Sequence, residues 1–323
     1  MPKIKPATRI WILGLIFLSI LAVCFYFFLS KTPLTPYSLK LRSWKLVAYI
    51  LVAVASSFAT ISFQTITENR FLTPSVLGLE SFYVLLQSLY FFIAARFLGE
   101  TIPALGQFIL ILSLLAFFFL LLQPVIKKLL KQGFVLILLI CMTVATLFRS
   151  VSTFLQVLMD PNEYDKLQGR LFASFQRINT SILLLALPII LLAVVYLWRK
   201  NAILNAFHLD KETAQVLGIE VEKEQKRILW AIVLLTGTTT ALVGPMMFFG
   251  FLIANLTYIL VAEYQHRTLF IVASLLGFVS LLFGQMIVER VFRLQVSVSS
   301  VIELLGGLFF FYLLYQKARA NQT

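Results

Sequence analysis

Residues 201–227 read N-A-I-L-N-A-F-H-L-D-K-E-T-A-Q-V-L-G-I-E-V-E-K-E-Q-K-R, residues 228–243 read I-L-W-A-I-V-L-L-T-G-T-T-T-A-L-V, and residues 244–255 read G-P-M-M-F-F-G-F-L-I-A-N. The first block has the chemistry of a water-exposed helix, the second is apolar, and the third interrupts it. Asp210 is placed to N-cap a short helix from Lys211 to Leu217, because its carboxylate can accept from the orphan amides of a first turn. Glu212 then lies at the positive end of the helix dipole, and Gly218 supplies the left-handed residue that closes it. Leu209, Ala214, Val216 and Leu217 give this helix an apolar aspect, while Lys211, Glu212 and Gln215 stay polar. Such a stripe fits either a dock for a soluble partner or a loop folded on its own protein, and the pattern does not choose between them.

Working outward, the chain of 323 residues is 60% hydrophobic and 13% charged, and apolar runs of spanning length recur along it. So much apolar surface has no soluble solution, which predicts an all-α polytopic membrane protein with a single domain over residues 1–323. Spans are expected near Arg9–Leu29, Trp44–Ile66, Ser81–Leu98, Pro103–Gln123, Gly133–Leu158, Ser181–Trp198, Ile228–Val243, Phe251–Val261, Leu269–Val288 and Val301–Tyr315, about ten transmembrane helices. The run from Ile10 to Leu29 is longer than a signal-peptide core and counts as a span.

The net charge of +13 is spread in short Lys and Arg clusters between apolar runs, which excludes a nucleic-acid surface. Sixteen of the 27 basic residues fall on the side of the N-terminus, ten on the other, and Arg149 within a span. That bias predicts both termini in the cytoplasm and places residues 201–227 there as well. Cys24 and Cys141 read as small buried hydrophobes. M-D-P-N-E-Y-D-K-L-Q-G-R (159–170) reads as a solvated loop, and Pro188 is expected to kink its span within a protein environment. Two Pro- and Gly-bearing interruptions, L-T-P-S-V-L-G (72–78) and G-P-M-M-F-F-G (244–250), occupy the two halves of the chain. Paired interruptions can flank a pathway.

No enzyme is legible. His208 and His266 lack metal-ligand spacing and a nucleophile partner, no G-x-x-x-x-G-K-[ST] loop is present, and no metal or cofactor site is expected. Ionisable groups within spans are costly and therefore informative. Arg149 in the fifth span and Glu303 early in the tenth are candidates to line a pathway, although pairing of Arg149 with a carboxylate or carbonyl inside the bundle is the favoured alternative; Glu80 reads as satisfied at a helix end. Phe117–Phe119 and Phe309–Phe311 read as packing or lipid-facing bulk.

Four motifs in order carry a resemblance. H-L-D-K-E-T-A-Q-V-L-G-I-E-V (208–221) resembles the coupling-helix region of the iron-siderophore and cobalamin type of ABC-transporter permeases, the FecCD family. Residues 244–255 resemble that family's Gly-Pro, Phe-Val-Gly-Leu-Ile-Val-Pro-His signature at Gly244, Pro245, Phe248, Gly250, Leu252 and Ile253. Phe249, Phe251 and Ala254-Asn255 depart from it. F-Q-T-I-T-E-N-R-F-L-T-P-S-V-L-G (63–78) is similar to the family's first-half motif at Gln64, Asn69, Pro74, Ser75, Leu77 and Gly78, and E-L-L-G-G-L-F-F-F-Y-L-L (303–314) resembles its closing segment.

The resemblance implies a type II ABC importer permease in a bacterial cell membrane. It would form its pathway with a second permease subunit, identical or homologous. A cytoplasmic ATPase dimer would consume the ATP and dock on Asn205, His208, Leu209, Asp210, Glu212, Thr213, Ala214, Leu217 and Gly218. The break at Gly244, Pro245, Phe248, Gly250 and Asn255 would convert its motion. An external substrate-binding protein would meet Arg42, Lys45 and Arg293, which could otherwise be ordinary interfacial anchors. The substrate class implied is ferric siderophore, with haem and cobalamin next. The rival is an ion-coupled secondary transporter, which needs intramembrane carboxylates in paired discontinuous helices.

Overall fold

The computed structural model of the chain describes residues 6–28, 35–93, 103–130, 134–176, 178–209, 211–261, 263–293 and 295–320. These form α1 (Pro6–Phe28), α2 (Pro36–Ile66), a 3-10 turn (Pro74–Leu77), α3 (Leu79–Ile93), α4 (Ala104–Leu130), α5 (Phe134–Val157), α6 (Pro161–Leu171) and α7 (Thr180–Arg199). After them come α8 (Asn201–Leu209), α9 (Lys211–Val216), α10 (Val221–Val243), α11 (Phe249–Leu260), α12 (His266–Arg290) and α13 (Val298–Ala320). Among the described residues no strand occurs.

Among the described residues seven helices are long and apolar enough to cross a bilayer, and three shorter apolar ones, Leu79–Ile93, Phe249–Leu260 and Val298–Leu313, fall at the other three expected spans. At 1.5 Å per residue, the 12 residues of α11 cover only about 18 Å of a hydrocarbon core roughly 30 Å thick. The backbone directly before it, residues 244–248, is non-helical.

α2 is the axis of the bundle. Thr35 caps it with a reciprocal box, Ser38 N–H to Thr35 Oγ1 at 3.2 Å and Thr35 N–H to Ser38 Oγ at 3.1 Å, and Pro36 occupies the first turn. It packs against α7, α8, α10, α11 and α12. Without water to drive apolar association, helices in lipid depend on close backbone approach, and α2 supplies small residues for it. Ala53 and Ser57 face Gly277 of α12, where a Cβ would lie 3.3 Å from that of Ala53. A Cβ on Gly250 of α11 would lie 3.2 Å from Thr60 Cβ and overlap its Oγ1. Phe58 stacks on Phe270 at 4.0 Å between ring centroids.

The 159–170 stretch is not a loop. Pro161 starts α6, Glu163 sits in its first turn and Arg170 in its last, Lys166 pairs with Glu163 at 2.7 Å, and Leu167 is fully buried. The Asp-Pro pair is a helix start, a signal outweighed in the sequence by the concentration of acids. Beyond it, Ala173 and Phe175 are fully buried, with Phe175 4.4 Å from Tyr49. α7 continues as helix through Pro188, with Leu183, Ala186 and Ile190 in the core and Leu184, Leu191 and Leu192 exposed. The protein environment expected around that proline covers one face only. Cys141 is buried as expected, whereas Cys24 is exposed on the outward face of α1.

The Gly250 contact predicts a paired outcome. Gly250→Ala should lower stability by about 1–3 kcal/mol through overpacking against Thr60, and adding Thr60→Ala should recover part of the loss. Thermal unfolding in detergent checks this; an unchanged midpoint for Gly250→Ala would contradict the close approach.

Candidate functional site

At one end of the bundle, α8 lies against the C-terminus of α2 and the start of α12, and α9 packs on α8 and α10. α9 stops in a Schellman closure: Ile219 N–H bonds Ala214 O at 3.1 Å, Gly218 N–H bonds Gln215 O at 2.9 Å, and Gly218 has φ +80°. Leu209, Val216 and Leu217 are exposed, as are Glu212 and Thr213, while Ala214 is fully buried. Asp210 lies outside the described residues. The apolar stripe therefore divides, with Ala214 holding the helix to its own protein and the other three facing outward.

Asn205 turns inward. Its Oδ1 accepts from the His266 backbone N–H at 2.9 Å and meets His266 Nδ1 at 2.7 Å. Because an amide oxygen only accepts, Nδ1 carries the proton, and Nε2 is left to face Thr65 Oγ1 at 2.7 Å. His266 is fully buried, so this node ties α8, α12 and α2 together. Gln225 Nε2 adds a bond from α10 to Ile66 O at 3.3 Å, and Lys200 and Arg227 both pair with Glu224, at 2.7 and 2.8 Å. His208 is half-buried with its ring centroid 6.1 Å from that of His266; burial first, and then the Arg70 charge, lower its pKa. The structural role of His266 was not legible, because Asn205, Thr65 and His266 are far apart in sequence.

Arg42, Lys45 and Arg293 gather at the opposite end. Arg42 donates to Phe27 O at 3.0 Å, capping the last turn of α1, and Lys45 has Glu289 as its charged neighbour. Arg293 is exposed, just past α12, with φ +50°. The 23 positions from Arg42 to Thr65 on α2 separate the two ends by about 35 Å.

Between the ends the two Pro- and Gly-bearing interruptions meet. The 244–248 segment is non-helical; Phe248 is the N-cap of α11, and Gly250 and Asn255 lie within that helix. The break is thus confined to residues before Phe249, and Asn255 belongs to a continuous helix that it anchors, donating to Arg70 O at 3.3 Å and Phe251 O at 3.0 Å. Gly244 has φ +105°, and a Cβ there would lie 3.0 Å from the Ala173 Cα, so the residue must be glycine on both counts. Ser174 N–H satisfies Val243 O at 2.9 Å, and Ala173 N–H donates to Ser299 Oγ at 3.2 Å. In the other interruption, Glu80 accepts from the Ser75 side chain and reaches across to the Met246 N–H.

Next to these breaks opens a cavity of about 450 Å³ lined by Phe71, Ser81, Met142, Arg149, Met247, Phe248, Phe251 and Phe310. Arg149 Nε donates to Ser81 Oγ at 3.1 Å and its Nη2 approaches Met247 Sδ at 3.2 Å. The pairing anticipated with a carboxylate or carbonyl is replaced by a hydroxyl and a thioether. Glu303 and Glu80 act on Arg149 electrostatically, and Glu303 does not line the cavity. The arrangement is an apolar, aromatic chamber with one cation at its wall, beside a section of non-helical backbone.

Residues 8–316 match the model of the FecCD transport family. The chain belongs to that family. Among FecCD relatives, it is 38% identical over 284 residues to the petrobactin import system permease protein YclO of Bacillus subtilis, covering 88% of this chain and 90% of that one. It is 33% identical over 280 residues to the petrobactin import system permease protein FatC of Bacillus anthracis, covering 86% and 78%. The fold matches a solved structure described as an inward-facing conformation of a metal-chelate type ABC transporter, with TM-score 0.81, 20% identity and coverage of 95% and 99%. The FecCD fold thus accounts for nearly the whole bundle.

The histidine node yields a test. His266→Ala and Asn205→Ala should each cost about 1–3 kcal/mol, since each strands a buried polar partner. The double variant should cost less than the sum. Additive losses in thermal unfolding would show that the two side chains do not share one network.

Proposed function

We propose that this chain is the permease subunit of a bacterial ABC importer that takes up an iron chelate of the siderophore class. The observation that carries this reading is FecCD membership together with kinship to two petrobactin import permeases over more than four fifths of the chain. The three shorter helices complete ten spans, because each adjoins protein-enclosed backbone or lies in the bundle. Both termini and the α8–α9 end face the cytoplasm, following the Lys and Arg bias. The subunit binds no cofactor itself and is not an enzyme; a separate ATPase dimer hydrolyses ATP.

The geometry supports a division of labour. Leu209, Val216 and Leu217 present an apolar patch for the ATPase, with Glu212 and Thr213 beside it. Rigid-body motion of that patch would pass through the Asn205–His266–Thr65 node to α2 and α12. The exposed Arg293, with the half-buried Arg42 and Lys45, would meet an acidic face of an external binding protein. A second permease subunit, identical or homologous, would close the 450 Å³ chamber into a pathway, in which Arg149 meets an anionic chelate. Lipid covers the rest.

Reconstitution in proteoliposomes tests the whole reading: uptake of a ferric siderophore should require ATP, the ATPase and the binding protein. Uptake driven by a proton gradient alone would overturn it in favour of a secondary transporter. Val216→Asp with Leu217→Asp should weaken ATPase association by about tenfold or more, by placing charge in an apolar contact. Arg149→Ala should reduce uptake of an anionic chelate with binding-protein docking intact; an unchanged substrate profile would remove Arg149 from the pathway.

A further inference from the structure

Between the two breaks lies a second cavity of about 30 Å³, bounded by α2, α10, the 3-10 turn and residues 244–250. That is room enough for at least one water-sized species. Its wall carries hard oxygen donors, with Ser56, Thr60, Ser75, Thr239 and Thr240 lining it together with Glu80; Thr239 Oγ1 also donates to Leu235 O at 2.9 Å. Glu80 is 5% exposed, and while its carboxyl holds Ser75 and the Met246 amide, Oε2 has no partner in the protein.

Glu80, Glu303 and Arg149 interact with one another, two carboxylates and one guanidinium, and the guanidinium is turned toward Ser81 and Met247 in the larger chamber. The helix ends act in opposite senses. Glu80 stands in the first turn of α3, where the dipole favours an ionised carboxylate. α10 ends at Val243 with its negative pole at the same cavity, a position that favours a cation. One carboxylate among hydroxyls, without His or Cys, is a donor set for a hard ion and not for a transition metal. The small room and the single carboxyl at the wall favour a small monovalent ion over a divalent one.

We propose that this cavity is a binding site for one dehydrated monovalent cation of the size of Na⁺, held by Glu80 and the hydroxyls of α2 and α10. The bound ion would bridge the 73–80 and 244–250 segments, adding a link beside the direct Glu80–Met246 bond. The inference concerns ion binding and stands apart from the transport reading, so neither result decides the other.

The test uses the full-length chain purified in detergent. Binding of radioactive Na⁺ and thermal unfolding are measured in NaCl, KCl and choline chloride at constant ionic strength. Saturable uptake of one Na⁺ per chain is expected, with a midpoint raised by Na⁺ and not by choline. Glu80→Gln should weaken Na⁺ binding by about tenfold or more, because it removes the only charge on the site; Thr240→Val should weaken it less. Equal behaviour in Na⁺ and choline, including a midpoint that responds to acidification alone, would overturn the proposal and leave the cavity to water or a proton. Undiminished Na⁺ binding in both variants would overturn it as well.

Discussion

A peptide group released from a helix inside hydrocarbon finds no water, so each interruption of a span has to be enclosed and bonded by protein. The two interruptions here meet that requirement by serving each other. Glu80, at the end of one, accepts from the Met246 amide of the other, and the carbonyl of Val243 is taken by Ser174 from a third segment. Gly78 at φ +80° and Gly244 at φ +105° allow the turns that bring these groups into reach. Much of the remaining bundle, from the small residues of α2 to the shortness of α11, follows from accommodating this joint.

The joint sits between two surfaces of different chemistry. One end carries an apolar patch on a capped helix, mounted on buried hydrogen bonds; the other carries basic groups at helix termini. α2 runs between them as a single helix of 31 residues, touching α8 at one extreme and presenting Arg42 near the other. A long helix coupled at one end to α8 and flanked midway by non-helical backbone has the form of a lever, and closely packed interfaces of this kind rearrange between discrete states.

The legible parts of the molecule were those governed by local chemistry. Apolar runs marked the helices, Gly218 marked the end of α9, and the Gly-Pro pair at Gly244 and Pro245 marked the break. What escaped depended on contacts between distant residues. His266 looks the same in sequence whether it is exposed or clasped by Asn205 and Thr65, and Asn255 looks like a departure from a motif until its amide is seen on Arg70 O. The 159–170 stretch misled for a different reason: three acids read as solvation, although only one face of α6 is wet and Leu167 fills the other. Arg149 was recognisable by its cost, but its Ser81 and Met247 neighbours follow from how α3, α5 and the break assemble.

The segment at Ala173–Phe175 has a consequence for biogenesis. Its partners are Tyr49, made long before it, Val243 and Gly244, made some seventy residues later, and Ser299, near the end of the chain. Helices enter the membrane in order of synthesis, so the joint lacks its Ser299 partner until α13 arrives. A nascent chain that stalls or is truncated before Ser299 would hold every long span and still lack the last wall of its own hinge. Quality control of this protein would then act on assembly of the break, with insertion of the spans already complete.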